Sequence, residues 1–335
     1  MKITVFSAQS YDRQFLNEAN QCEPNPQAFE LIFQEATLSL QTVALATGSD
    51  AICAFVNDRL DAPVLEALSK LGVRGILLRC AGFNNIDIDA AARLGLFVAR
   101  VPAYSPEAVA EHTIALIMTL NRHTHRAYNR VREGNFMLDG LLGMTLRGKT
   151  VGIVGTGKIG RATARILNGF GCHVLGCDPM PSPEFTSLGE MVDLDTLLAR
   201  SDIVTLHCPL TEDNRHMINA DTLPGMKPGA MLINTSRGAL IDTGAVISAL
   251  KTGHLGALGI DVYEQESALF FHDRSSDIIA DDIFQRLMTF PNVLVTGHQA
   301  FLTEEALTAI AVTTLESIAD AEAGRVLRHR VAPVS

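Results

Sequence analysis

Apolar residues in this chain fall into short runs separated by longer, half-apolar segments. Runs at residues 2–7, 51–55, 75–79 and 97–100 are rich in Val, Ile, Leu, Phe and Ala and read as buried strands. Residues 62–71 and 88–94 lie between them and read as helices. Strands alternating with helices predict a parallel sheet. The alternation resumes with runs at 151–154, 173–177, 202–207, 230–234, 255–260 and 293–296. Val101-Pro102-Ala-Tyr104-Ser105-Pro106 interrupts the pattern and marks a domain crossing. Ser105 suits a helix N-cap, Pro106 the first helical position and Glu107 the first turn. Residues 108–120 then form a helix. Residues 303–323 form another, and because no strand accompanies them they must pack on a layer already built, which is expected to be the first domain.

The run at 151–154 leads into Gly155-Thr-Gly157-Lys-Ile-Gly160 and an amphipathic helix. A strand, a G-x-G-x-x-G turn and a helix are what a dinucleotide needs. Gly155 allows the tight turn, Gly157 lets backbone approach a pyrophosphate, and Gly160 lets helix pack on strand. The free N–H groups of the helix N-terminus face the phosphates. Asp178 ends the next strand, about 20 residues past the turn, where it meets ribose hydroxyls and disfavours a 2′-phosphate. NAD is the expected cofactor, in preference to NADP. The expected fold is α/β, with two Rossmann- or flavodoxin-like parallel-sheet domains and an active-site cleft between them. Residues 1–103 and 301–335 form the substrate domain, and 104–300 the nucleotide domain.

Composition narrows the partners. The 335 residues are 47% hydrophobic, enough for two sizeable cores, and carry a net charge of -10. That charge argues against nucleic acid or an anionic membrane. No apolar run is long enough to span a bilayer, and the start runs directly into a strand without a signal-peptide core. The six cysteines lack C-x-x-C spacing, so free thiols in a reducing cytoplasm are expected and no metal site is. Arg122-His-Thr-His-Arg126 and residues 130–132 form a basic stretch, read as a solvated helix face with anion binding as the alternative.

Ligands of doubly wound sheets bind beyond the carboxyl ends of strands. Arg237, Asp261 and His298 each follow such an end. Arg237 offers a fork for a carboxylate. Histidine is suited to exchange a proton between alcohol and ketone. Glu266 could pair with His298 and orient its ring. Singly, each has an ordinary alternative: a structural salt bridge for Arg237, an inert loop histidine for His298, a solvated acid for Glu266 beside Glu264.

Seven motifs resolve the ambiguity: residues 79–87 (Arg-Cys-Ala-Gly-Phe-Asn-Asn-Ile-Asp), residues 101–112, the glycine turn, His207-Cys-Pro-Leu210, Asn234-Thr-Ser-Arg-Gly238, Asp261-Val-Tyr-Glu-Gln-Glu266 and Thr296-Gly-His-Gln-Ala-Phe301. In this order, over nearly the whole chain, they resemble the D-isomer-specific 2-hydroxyacid dehydrogenases. The likeness is greatest to the fermentative D-lactate dehydrogenase branch, through the residue 78–85 motif and the insertion between Glu266 and His298. The resemblance implies reduction of pyruvate to D-lactate with NADH, with another small 2-oxo acid (hydroxypyruvate or longer) as the alternative. The family's NAD-sensing corepressors are a remote one. It implies that Arg237 binds the carboxylate, that His298 is the acid–base catalyst and that Glu266, five residues after Asp261, is its partner. It places the Ala81 and Gly82 amides on the carboxylate and Tyr104, Phe301 and Phe55 around the side chain. Lys158, Ile159, Asp178, Cys208, Pro209, Asn214, Thr235, Ser236, Arg237 and Asp261 join the three glycines at the NAD site. A homo-oligomer, dimer or tetramer, is expected from relatives.

Overall fold

The computed structural model describes residues 1–21 and 29–333. Among them the chain divides into two compact units, Met1–Ser105 with Leu302–Ser335, and Pro106–Phe301.

The first unit contains β1 (Lys2–Val5), α1 (Ser10–Gln21), β2 (Glu30–Phe33), β3 (Ala51–Ala54), α2 (Ala62–Lys70), β4 (Gly75–Leu78), α3 (Ile88–Arg93) and β5 (Phe97–Arg100). The strands form one sheet in the order β2-β1-β3-β4-β5, every pair parallel. Strand periodicity divides the side chains between two cores. Phe6, Ile52, Ile76 and Val98 face α2 and α3, while Ile3, Val5, Cys53 and Leu77 face α1 and the C-terminal helix. Asp61 caps α2 by accepting from the Val64 N–H, and Asp87 caps α3 by accepting from Ala90.

The second unit opens with α4 (Pro106–Arg122) and α5 (Thr124–Arg132), followed by β6 (Thr150–Val154), α6 (Lys158–Gly169), β7 (His173–Cys177), β8 (Glu190–Met191), α7 (Leu194–Arg200), β9 (Ile203–Leu206), β10 (Ala230–Asn234), α8 (Thr243–Thr252), β11 (Leu255–Ile260), α9 (Asp282–Met288) and β12 (Val293–Val295). Its seven strands run β12-β11-β10-β9-β6-β7-β8, all parallel. Val151, Ile153 and Ile233 pack under α4 and α6; Val154, Leu206, Leu232 and Leu258 pack under α7, α8 and α9. The last helix, α10 (Glu304–Glu322), belongs to the first unit, where Ala311, Leu315 and Ile318 join Ile3, Val5 and Leu16. Thr303 caps it by accepting from Ala306.

Candidate functional site

The glycine turn has the geometry of a cradle. Gly155 sits at φ +95°, and a Cβ there would press on the His207 and Cys208 backbone. A side chain at Gly160 would meet the Gly155 carbonyl. Gly157, by contrast, is exposed, has open space where a Cβ would stand, and is the N-cap of α6 with no side-chain cap. The first N–H groups of α6 are thus left to a ligand. Lys158 is exposed and Ile159 half-buried beside them. Asp178 follows β7; its Oδ2 accepts from the Thr156 N–H at 2.7 Å and hydroxyl at 3.1 Å, and its Oδ1 accepts from Met180 N–H at 2.8 Å. The acid therefore both braces the turn and stands beside it.

Beyond β9, Cys208 and Pro209 form a loop that Asn214 closes by donating to the Pro209 carbonyl at 2.8 Å. Ser236 ties this loop to the next strand end by donating to the Cys208 carbonyl at 2.5 Å. Thr235 is buried and shares a hydrogen bond with Thr113 of α4. Burial pushes the Cys208 thiol up to about 11, aided by Asp178 and Cys177, so it is a neutral wall rather than a nucleophile. The five described cysteines are free; Cys22 lies outside the described residues.

The histidine expected to act as acid and base lies past β12. His298 Nδ1 is 2.9 Å from Glu266 Oε1, with the two side chains 16% and 22% exposed. Glu266 Oε2 accepts from the Tyr263 N–H at 2.9 Å, which fixes the carboxylate. A carboxylate facing Nδ1 holds the proton there and leaves Nε2 for a reactant. His298 occupies a left-handed conformation, φ +53°, stabilised by its N–H donating to the Asp261 carbonyl at 2.7 Å. The inserted segment supports the same loop: Tyr263 donates its hydroxyl to Asp281, its ring packs on Phe284, and the Phe271 ring stands 5.8 Å from that of His298.

Glu264 goes elsewhere. It accepts from His216 at 2.7 Å and from Arg215 at 3.2 Å. That commitment separates it from Glu266, which the sequence alone could not do.

Arg237 follows β10, half-buried, with Nη1 donating to the Ser236 carbonyl at 2.7 Å. Among the described residues no carboxylate pairs with it, so the fork is available to an anion.

Asp261, expected at the NAD site, also holds the loop after β12. It is fully buried (0% exposed) and its carboxylate accepts from Thr296 Oγ1 at 2.5 Å and from the Gln299 and Ala300 N–H groups at 2.9 Å. His112 of α4 lies 3.4 Å from the same carboxylate. Burial raises this carboxyl, but His112, Thr296 and the two amides outweigh it and hold it below the usual range. In this arrangement Asp261 organises the His298 loop from beneath. No local signal in the sequence points to His112 and Thr296, because the two partners stand 184 residues apart.

In the first unit, Ala81 and Gly82 follow β4 and are half-buried, and among the described residues neither N–H donates to a protein group. Tyr104 is half-buried and Phe55 is 5% exposed; Phe301, the last residue of the second unit, is 7% exposed. The Phe55 ring lies under the Arg79 guanidinium, 4.7 Å from its centroid.

This architecture defines a dinucleotide-dependent oxidoreductase with a histidine–carboxylate pair. Residues 114–300 match the model of the D-isomer specific 2-hydroxyacid dehydrogenase NAD binding domain. The chain is 60% identical to 2-hydroxyacid dehydrogenase A of Aspergillus oryzae, over 96% of this chain and 92% of that protein. It is 55% identical to D-lactate dehydrogenase of Escherichia coli, over 97% and 98%. The solved structure of the pyruvate reductase of Chlamydomonas reinhardtii superposes with a TM-score of 0.91 at 48% identity, covering 98% of each chain. The chain therefore belongs to the D-isomer-specific 2-hydroxyacid dehydrogenases, and its cofactor is NAD.

Proposed function

We propose that the protein reduces pyruvate to D-lactate: pyruvate + NADH + H⁺ gives D-lactate + NAD⁺. The observation that carries this reading is the His298–Glu266 pair standing past the strand ends of the sheet that holds the NAD turn, with an unpaired Arg237 past another. The relatives named as a D-lactate dehydrogenase and a pyruvate reductase support the choice of substrate. The cofactor supplies the hydride. Arg237 engages the substrate carboxylate through two parallel N–H bonds, and the free Ala81 and Gly82 amides take its remaining lone pairs. Arg237 also turns the carbonyl oxygen toward His298. His298 Nε2 gives its proton to that oxygen as the carbonyl carbon is reduced, and Glu266 stabilises the imidazolium before transfer. In the oxidative direction the neutral ring takes the proton back. Tyr104, Phe301 and Phe55 wall off space for a methyl group.

The test is NADH oxidation followed at 340 nm, a general property of the cofactor, against a panel of 2-oxo acids. Pyruvate should give the highest kcat/KM. Preference for hydroxypyruvate or a longer 2-oxo acid would replace the substrate and keep the chemistry; no turnover with any would overturn the reading.

The reading includes a cytoplasmic homo-oligomer, dimer or tetramer. Phe136, Met137, Leu138 and Leu142 are 64% to 93% exposed within one short segment, apolar side chains that a second copy of the chain would cover. Sedimentation of the intact protein should give a multiple of 36.1 kDa.

A further inference from the structure

We propose that Arg100 is the positioning residue of the carboxylate grip: it orients and polarises the Ala81–Gly82 peptide whose N–H binds the substrate anion. The inference rests on the reading above in one respect, that Gly82 meets a carboxylate.

Arg100 ends β5 and is paired in register with Leu78 of β4, two residues before Cys80. Its backbone is held from the other side as well, with its N–H donating to the His329 carbonyl at 3.1 Å. From this fixed base Nη1 donates to the Ala81 carbonyl at 2.7 Å. The guanidinium plane lies over the Phe83 ring, 4.9 Å from its centroid. Among the described residues no carboxylate neutralises it. One side chain thus holds the loop on both sides of Gly82.

The peptide bond makes this contact directional. In a planar trans peptide the C=O and the following N–H point in opposite directions. With the Ala81 oxygen turned to Arg100, the Gly82 N–H must point away from it. The next carbonyl is also occupied, since Cys80 Sγ donates to Gly82 O at 3.2 Å. Both loop carbonyls are therefore turned onto protein donors, and neither faces the side on which an anion would approach the amides.

A charged donor on the carbonyl also draws electron density through the conjugated amide and makes its N–H a stronger donor, as in any hydrogen-bonded chain. Arginine is suited to the double task, because its planar fork can donate in one direction while its face stacks on an aromatic ring. Lysine would keep the charge and lose the stack.

The test uses the full-length protein with Arg100→Met and Arg100→Lys. For Arg100→Met, KM for pyruvate and the Kd of oxamate should each rise by about tenfold or more, the usual scale for losing a charge-assisted bond. The value of kcat should stay within about threefold and the Kd of NADH should not change, because the acid–base pair and the NAD turn lie in the other unit. Arg100→Lys should recover part of the loss. The amide resonance of Gly82 should also move upfield in the Met variant without any ligand, which reads the polarisation directly. A purely structural residue would lower kcat and NADH affinity together with pyruvate affinity, or leave the Gly82 resonance in place; either result overturns the proposal, as does an unchanged KM. If Arg100→Met is insoluble, Arg100→Lys must show the intermediate KM and resonance shift, or the proposal falls. Wild-type protein that turns over no 2-oxo acid would instead remove the substrate reading, while the Gly82 resonance would still decide the polarisation.

Discussion

Both units are doubly wound parallel sheets, yet they finish their first strand–helix turn in opposite ways. After β6, Gly157 caps α6 with no side chain, and the helix N-terminus stays open. After β1, the same place is filled: Asp12 accepts from the Gln9 N–H at 2.9 Å and pairs with buried Arg79 at 3.0 Å, and Arg79 also donates to the Ser7 carbonyl at 2.8 Å. Ser7 itself is held at φ +50°. An internal carboxylate thus occupies the dipole end that a phosphate would need. Topology offers both units a ligand crevice; the turn residues decide that one accepts a dinucleotide and the other a fixed set of side chains. Asp58 completes that set, accepting from Ser7 Oγ, Leu38 N–H and Phe55 N–H.

The proposed mechanism keeps proton chemistry in the nucleotide unit alone, and removing His298 should have the largest effect. His298→Ala is expected to lower kcat by about two to four orders of magnitude, the range of general acid–base catalysis, with the Kd of NADH unchanged. Stopped-flow turnover and fluorescence titration measure the two; turnover near that of the wild type would remove His298 from the mechanism. Next in size is the internal ion pair of the first unit. Asp12→Asn leaves the Arg79 guanidinium buried without its carboxylate, and breaking such a pair costs about 3 kcal/mol. The urea midpoint should fall while NADH affinity holds. Equal loss of both would mean that the two units do not divide the labour as described.

How much of this was legible in the chain depends on how local the signal is. Strands β5, β7, β10 and β11 begin and end where the apolar runs do, because all lie in sheets covered on both faces and read as continuous runs. Edge strand β2 and helix α1 lack such a signal. Glu30–Phe33 has no buried residue, and Ser10–Gln21 buries only Asp12, Leu16 and Asn20, two of the three polar. The glycine turn was legible because its chemistry is contiguous. The His298–Glu266 pair was legible only through family resemblance, since spacing does not separate Glu266 from Glu264; the structure does so by committing Glu264 to His216. The partners of Asp261 are not legible in the chain, because all four come from α4 and from the loop after β12.

The open helix end can be tested by closing it. Gly157→Asp puts a carboxylate where a Cβ meets nothing within 4 Å, at a position where Asp is a favoured cap. Stability should hold or rise slightly, while the added charge faces the pyrophosphate and raises the Kd of NADH by about tenfold or more. The second unit would then resemble the first. Retained NADH affinity would show that the helix N-terminus is not the phosphate site.

The smallest effect concerns pH and the support beneath His298. Asp261 has its carboxyl held below the ordinary aspartate value, because hydrogen bonds from His112, Thr296 and two amides exceed the cost of burial. A carboxyl lowered in the folded state contributes stability that is fully present above its unfolded value, about 3.9, and is lost as pH falls through the lower folded one. The loop over Gln299 and Ala300 should therefore stay ordered near pH 5 and loosen below about pH 4. Hydrogen exchange of those two amides, corrected for intrinsic rate and referenced to amides of β10, reads this directly. Asp261→Asn cannot ionise and should remove the acid dependence. If wild type shows the same corrected protection at pH 3 and pH 6, then ionised Asp261 does not hold the His298 loop, and the left-handed turn rests on the Asp261 main-chain carbonyl, Glu266 and Phe271 instead.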